Sequence, residues 1–175
     1  MNRITLILIL LLYCLKSWSC DCKNISPMDS LREISYHHSD LVFVGKLIES
    51  KRDSVSPFYP HYYSFQIKEV FKGAVMKDTI FGKSFTSCSH FPADTGQWII
   101  YANIMDSGYI DISSCGASRS YLDPLCWNCP AAKPRAPRPY SSKKEIAEFE
   151  KDWEARKILA RKELEEEIII LRNKN

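Results

Sequence analysis

The sequence predicts a mainly β fold: a small five-stranded antiparallel barrel, closed or half-closed, with a short helix before it and a long charged helix after it. Three observations predict it. Five β-rich or alternating segments between residues 40 and 121 are separated by turn residues. Residues 23–38 place Met28, Leu31, Ile34 and Tyr36 at a spacing that suits one amphipathic helix. A proline-dense stretch then precedes an apolar stripe at three- and four-residue steps.

In chain order, residues 41–48, Leu-Val-Phe-Val-Gly-Lys-Leu-Ile, form a β-rich run with both faces apolar at its start. Residues 61–71 alternate Tyr63, Phe65 and Ile67 against Ser64, Gln66 and Lys68, and Lys72-Gly73 closes the strand. A short third strand is expected over residues 75–81. Residues 97–104, Gln-Trp-Ile-Ile-Tyr-Ala-Asn-Ile, are the most apolar run and the expected centre of the sheet. Asp106-Ser107-Gly108 reads as a hairpin turn into a fifth strand over residues 109–113.

Prolines 124, 130, 134, 137 and 139 make residues 123–141 an extended spacer, with Lys133, Arg135 and Arg138 giving it basic character. Such a spacer could touch an anionic surface, or simply be solvated. Ser141 or Ser142 can cap the final helix, with Glu145 in its first turn. Ile146, Phe149, Trp153, Ala160, Leu164, Ile168 and Leu171 form its stripe, interrupted at Arg156 and Lys157. Docking on the barrel and self-association fit that stripe equally well.

Residues 1–19, MNRITLILILLLYCLKSWS, read as an export signal: basic Arg3, an apolar stretch, then Ser17-Trp18-Ser19 before the cut. Cleavage after Ser19 leaves about 156 residues beginning at Cys20. The organisation expected is therefore a signal peptide at 1–19, a barrel domain at 20–122, a Pro-rich linker at 123–141 and a helix at 142–173. Losing Arg3 and Lys16 lowers the formal charge from +3 to about +1, which gives no electrostatic reason to expect nucleic acid. No run after the signal approaches the ~18 apolar residues of a membrane span.

Of seven cysteines, Cys14 leaves with the signal, and Cys20, Cys22, Cys88, Cys115, Cys126 and Cys129 remain. An even count in an exported chain reads as a disulfide framework, and six cysteines allow about 15 pairings that spacing alone does not resolve. The competing reading is a structural zinc site using Cys22, Cys126, Cys129 and a histidine.

The Cys20-Asp21-Cys22 start, the short helix and Ser39-Asp-Leu-Val-Phe-Val-Gly-Lys46 resemble the N-terminal domain of tissue inhibitors of metalloproteinases. Tyr63-Ser-Phe-Gln-Ile-Lys-Glu-Val-Phe-Lys-Gly73, Cys88-Ser-His-Phe, Gly96-Gln-Trp-Ile-Ile-Tyr101 and Ile112-Ser-Ser-Cys115 extend the likeness over residues 20–121. The resemblance implies a netrin-like domain, an oligonucleotide/oligosaccharide-binding (OB) barrel. It also implies pairings Cys20–Cys88 and Cys22–Cys115, leaving Cys126 and Cys129 to pair with each other or to act as a redox couple. Each long bridge would contribute roughly 4 kcal/mol in the chain-entropy model. His37 stands where the family has a further framework cysteine.

By this resemblance the protein is a secreted inhibitor, not an enzyme, and has no cofactor of its own. The amine and carbonyl of Cys20 would chelate the catalytic zinc of a target peptidase, displacing its water. An α-amine titrates near 7.7–8, about within reach of physiological pH, so a neutral fraction is available for the metal. Asp21 would enter the peptidase's specificity pocket, where a carboxylate costs several kcal/mol unless a cation meets it. Two other classes remain open: a non-inhibitory extracellular interaction or adhesion module, and a lipid-anchored surface protein acylated on Cys20. A membrane is a partner only in that last case.

Remaining candidates are bland. His37-His38, His61 and His90 lack metal-ligand spacing. Tyr59, His61, Tyr62 and Tyr63 form an aromatic cluster that could stack bases, though export argues against nucleic acid. Asn24-Ile25-Ser26 fits a glycosylation sequon.

Overall fold

The computed structural model describes residues 28–52, 61–84, 86, 88–125 and 142–174. Helix α1 (Met28–His38) precedes strands β1 (Leu41–Arg52), β2 (His61–Lys72), β3 (Thr79–Ser84), β4 (Gln97–Ile104), β5 (Ile110–Ile112) and β6 (Arg119–Ser120). Helix α2 (Lys143–Arg172) follows. The strands pair in the order β1-β2-β3-β5-β4, and a β1–β4 pairing closes them into a five-strand barrel. Strand β6 adds to the outside of β4.

The wholly antiparallel expectation is corrected at one seam. Strands β2 and β4 both run antiparallel to β1. Strand β3 opposes β2, and β5 opposes β4, so β3 and β5 point the same way. Five strands closed in this order must therefore contain one parallel pair, and Gly82 opposite Ile110 is that pair. Strand β4 is central as expected, with β1, β5 and β6 as neighbours.

Other boundaries shift for local reasons. The third strand occupies Thr79–Ser84 rather than 75–81, because residues up to Asp78 form the bend after β2. The fifth strand shortens to Ile110–Ile112, after a turn in which Gly108 takes φ +79° and donates to the Met105 carbonyl. On α1, Met28, Leu31 and Ser35 face inward, while Ile34 is 42 % exposed. The Ser35 hydroxyl accepts a bond from the Ala117 amide at 3.1 Å, so a small polar residue holds the third inward position.

Alternation along β1 and β4 builds two cores back to back. Leu41, Phe43, Leu47, Trp98, Ile100 and Ala102 point into the barrel with Tyr63, Phe65, Ile110 and Ile112. The interior is filled by rings: Phe65 meets Phe43 and Tyr63 edge-on at 5.9 Å, and Trp98 at 6.4 Å. Gly82 makes room for this, since a Cβ there would stand 1.8 Å from the Tyr63 ring. The opposite faces of β1 and β4, through Val42, Val44, Ile99 and Tyr101, pack against Met28 and Leu31 of α1 and against Leu164, Ile168 and Leu171 of α2. Both faces of β1 are apolar because each covers a core.

Helix α2 thus docks with its second half. Ser142 caps it, and Ser142 and Glu145 form a reciprocal capping box. Its first four turns stand apart from the barrel core; Ile146 is exposed, and Trp153 packs with Leu125 and Ala160 in a small satellite cluster, beside the Phe149 ring at 5.7 Å. Ion pairs at three- and four-residue spacing, Lys144–Glu148, Asp152–Arg156 and Glu154–Lys157, support the helix there.

The docking is fixed by a buried carboxylate. Glu167, 1 % exposed, accepts from Arg119 at 2.6 and 3.2 Å, from Arg32 at 2.6 Å and from the Tyr101 hydroxyl at 2.7 Å. Arg119 also donates to the Ala117 carbonyl, and Arg32 to the Glu163 carbonyl and to Asp29. One side chain thereby ties α2, α1, β4 and β6 together. Two further contacts pin the last turn: a two-pronged Arg172–Glu69 pair at 2.7 and 2.8 Å, and Lys174–Glu33 at 2.6 Å.

Replacing Glu167 with Ala leaves the buried Arg119 guanidinium without a counter-charge and strips Arg32 of one of its two carboxylate partners. Urea unfolding is expected to show a loss of roughly 3–5 kcal/mol, against less than ~1 kcal/mol for the exposed Glu166→Ala. Burial first, then the Glu167 charge and their hydrogen bond, push the Tyr101 phenol well above its ordinary 10.0. The folded phenol keeps its proton where the unfolded one ionises. The resulting stabilisation is complete below pH 10.0 and falls as pH rises beyond it. Unfolding midpoints followed from pH 8 to about 11 will show this fall, and Tyr101→Phe will lessen it, the remainder coming from Tyr63 and Tyr121, whose phenols burial also pushes up.

Candidate functional site

The expected inhibitory segment, Cys20, Asp21 and Cys22, lies outside the described residues, as do Cys126, Cys129, Tyr59, the 24–26 sequon and residues 126–141 of the linker. The structure describes the loops that carry Cys88 and Cys115. The loop from Thr86 to His90 and the turn from Ser113 to Gly116 meet at one rim of the barrel. A Ser89–Ser113 bridge joins them, the Ser114 amide donates to the Cys88 carbonyl at 2.7 Å, and the His90 amide donates to Ile112 at 2.5 Å.

Each loop is braced from within. The Thr86 hydroxyl accepts from the Cys88 amide at 3.1 Å, and the Ser113 hydroxyl accepts from the Cys115 amide at 3.2 Å. These local turns explain why Thr and Ser precede each cysteine by two residues. Cys88 and Cys115 are both disulfide-bonded, so neither is a titrating thiol. They are held next to one another at the end of β5, with α1 close by through Ser35 and Ala117.

Beneath this rim lies a cavity of about 140 Å³ lined in part by His90, Phe91, Trp98, Ser118, Arg119 and Asp123. Of its three lining serines, Ser118 bridges the Tyr101 amide and carbonyl at 2.7 and 3.2 Å, and Ser120 accepts from the Leu122 amide at 3.0 Å. Arg119 is bound to Glu167.

The histidines are dispersed. His37 pairs with Glu33 at 2.8 Å on the exposed end of α1, His61 stacks on Phe91 at 4.1 Å, and His90 lies 5.5 Å from Trp98. Among the described residues no group of three or more His, Cys, Asp or Glu could hold a metal ion, and no helix is long and apolar enough to cross a membrane. The aromatic cluster divides: Tyr63 turns inward and donates to the Ile110 carbonyl at 3.2 Å, whereas Tyr62 turns outward beside Tyr109.

Sequence reasoning missed the Glu167 cluster, leaving that residue out of the apolar stripe of the helix. A signal was present: Glu167 falls between Leu164, Ile168 and Leu171 on the apolar stripe. Geometrically the molecule is a closed, mixed five-strand barrel carrying two docked helices and a cysteine-braced rim. No protein-family model matches the chain, and no curated protein matches it.

If the rim depends on its bridges, Cys88→Ser and Cys115→Ser should each cost about 2–5 kcal/mol in denaturant unfolding. Thiol alkylation of the unfolded, unreduced protein should label neither cysteine.

Proposed function

We propose that the protein is a secreted inhibitor of a zinc metallopeptidase, with Cys20 as the residue that reaches the target's metal. The observation that carries this reading is the contact between the Cys88 and Cys115 loops. A Cys-x-Cys segment spans only ~7 Å between its α-carbons, so it can bridge to two partners only if they stand side by side. The rim offers two disulfide-bonded positions in that relation. The first described residue, Met28, is six positions beyond Cys22, within about 20 Å of extended chain. Pairings Cys20–Cys88 and Cys22–Cys115 would hold the amino terminus rigid at the rim, lowering the ordering cost of binding.

The barrel's strand order, with its parallel β3–β5 seam, supports assigning it to the OB, netrin-like type. The inhibitor performs no chemistry of its own. Its neutral amine and the Cys20 carbonyl occupy the position from which the peptidase would activate water. Asp21 selects for targets whose specificity pocket carries a cation.

A second reading, an extracellular interaction module, is favoured by the first half of α2, where Ile146 is 41 % exposed on an arm held off the barrel core. The two readings separate on one experiment. The protein starting at Cys20 should inhibit a susceptible zinc peptidase stoichiometrically, and one added Ala before Cys20 should abolish inhibition while the unfolding midpoint stays unchanged. Equal potency of the two forms removes the zinc-chelation mechanism. Asp21→Ala should widen the range of peptidases inhibited toward those with apolar pockets.

A further inference from the structure

Helix α2 gives one side to the barrel and leaves apolar residues on the other. Leu164, Ile168 and Leu171 pack into the core, whereas Ile158, Leu159, Ile169 and Ile170 are 45 to 68 % exposed. The two exposed pairs stand eleven positions apart, about three turns, so they line up along the helix roughly 16 Å from each other. Exposed Lys162 and Glu166 lie between them, and exposed Ala155 and Asn173 lie beyond them. Positions 155, 159, 162, 166, 169 and 173 alternate steps of four and three, the repeat of a helix-pairing seam, with Ile158 and Ile170 on its flanks. The seam is also symmetric. The pairs 158–159 and 169–170, Lys162 and Glu166, and Ala155 and Asn173 all share position 164 as their midpoint.

We propose that this outer face of α2 is a dimer interface, and that its partner is the same face of a second copy, laid antiparallel about a two-fold axis at position 164. A two-fold contact must be complementary to itself, and this sequence is. Ile158 meets Ile169, Leu159 meets Ile170, Lys162 meets Glu166, and small Ala155 meets Asn173. Charge sets the direction. One helix already pairs Lys162 with Glu166 at 3.8 Å, an exposed contact that contributes little by itself. In the antiparallel dimer those two residues and their copies close a ring of four alternating charges. A parallel dimer would set lysine against lysine and glutamate against glutamate. Sliding by one turn would press isoleucines onto these charges, so the polar middle fixes the register. The contact runs about 27 Å along one helix, at the small end of interface sizes, which makes the dimer a micromolar one. It uses no residue of either cysteine loop, so it stands or falls separately from inhibition.

Sedimentation equilibrium of the complete secreted protein, from about 1 to 500 μM at about 0.15 M salt, should show monomer and dimer exchanging with a Kd on the order of 10–100 μM. Leu159→Glu and Ile169→Glu should each weaken the dimer at least about tenfold. Both side chains are exposed and outside the cores, so near-UV circular dichroism and the unfolding midpoint should stay as they are. Lys162→Glu should weaken it about fivefold, and adding Glu166→Lys to that variant should restore it to within about twofold, because the exchanged charges still alternate. In a mixture of isotope-labelled and unlabelled chains, magnetisation transfer between copies should join Ile158 to Ile169 and Leu159 to Ile170. A monomer over the whole range overturns the proposal, and one that sediments with phosphatidylserine vesicles through Leu159 assigns the face to a membrane instead. A dimer indifferent to both glutamate substitutions, a failed charge exchange, or transfer from Ile158 to Ile158 would overturn it as well.

Discussion

The structure depends on one buried carboxylate. Without Glu167, Arg119 would be a buried cation beneath a helix with no counter-charge and Arg32 would keep only Asp29, leaving α2 to the apolar contacts of Leu164, Ile168 and Leu171 and the ion pairs of its last turn. An ion cluster of this kind is weak evidence for extra stability, because desolvation offsets much of the attraction. Its contribution is geometric. Hydrophobic burial would tolerate α2 sliding by a turn along the barrel, whereas a carboxylate answering two guanidinium groups and a phenol fits one register only.

That register propagates to the rim. Arg119 reaches Glu167 from β6 and also holds the Ala117 carbonyl. Ala117 donates to Ser35 of α1, and Gly116 follows Cys115 directly. The loop bearing Cys115 is therefore braced from below by the same network that seats α2. Barrel closure braces the other loop, since β3 and β5 must run side by side and their ends deliver Cys88 and Cys115 to a common edge.

Much of this was legible in the chain. Strong alternation fixed β2, and the doubly apolar start of β1 pointed to a strand with two covered faces, which the paired cores explain. The hairpin glycine and the capping serine were readable because each supplies a backbone need that few residues meet. The parallel seam was not readable from any segment by itself; it follows from how many strands close and in which order. Ile34 and Ser35 exchanged their expected places because a 3.6-residue period over three turns leaves the face undecided until its neighbours are known. Glu167 was hidden by its company of glutamates, and β6 by being two residues long. The rim cysteines were legible as types, and only the fold put their loops in contact.

The lock joins residues 135 positions apart, from Arg32 near the beginning of the fold to Glu167 near its end. During synthesis the apolar underside of α1 and the outer wall of β1 therefore stay uncovered until α2 has been made. Until then a nascent chain would carry unpaired thiols at Cys88 and Cys115 and an unsheltered hydrophobic wall at the same time. The thirty residues of α2 thus act as the step that closes this core, and a ribosome stalled short of them would release a barrel with one side open.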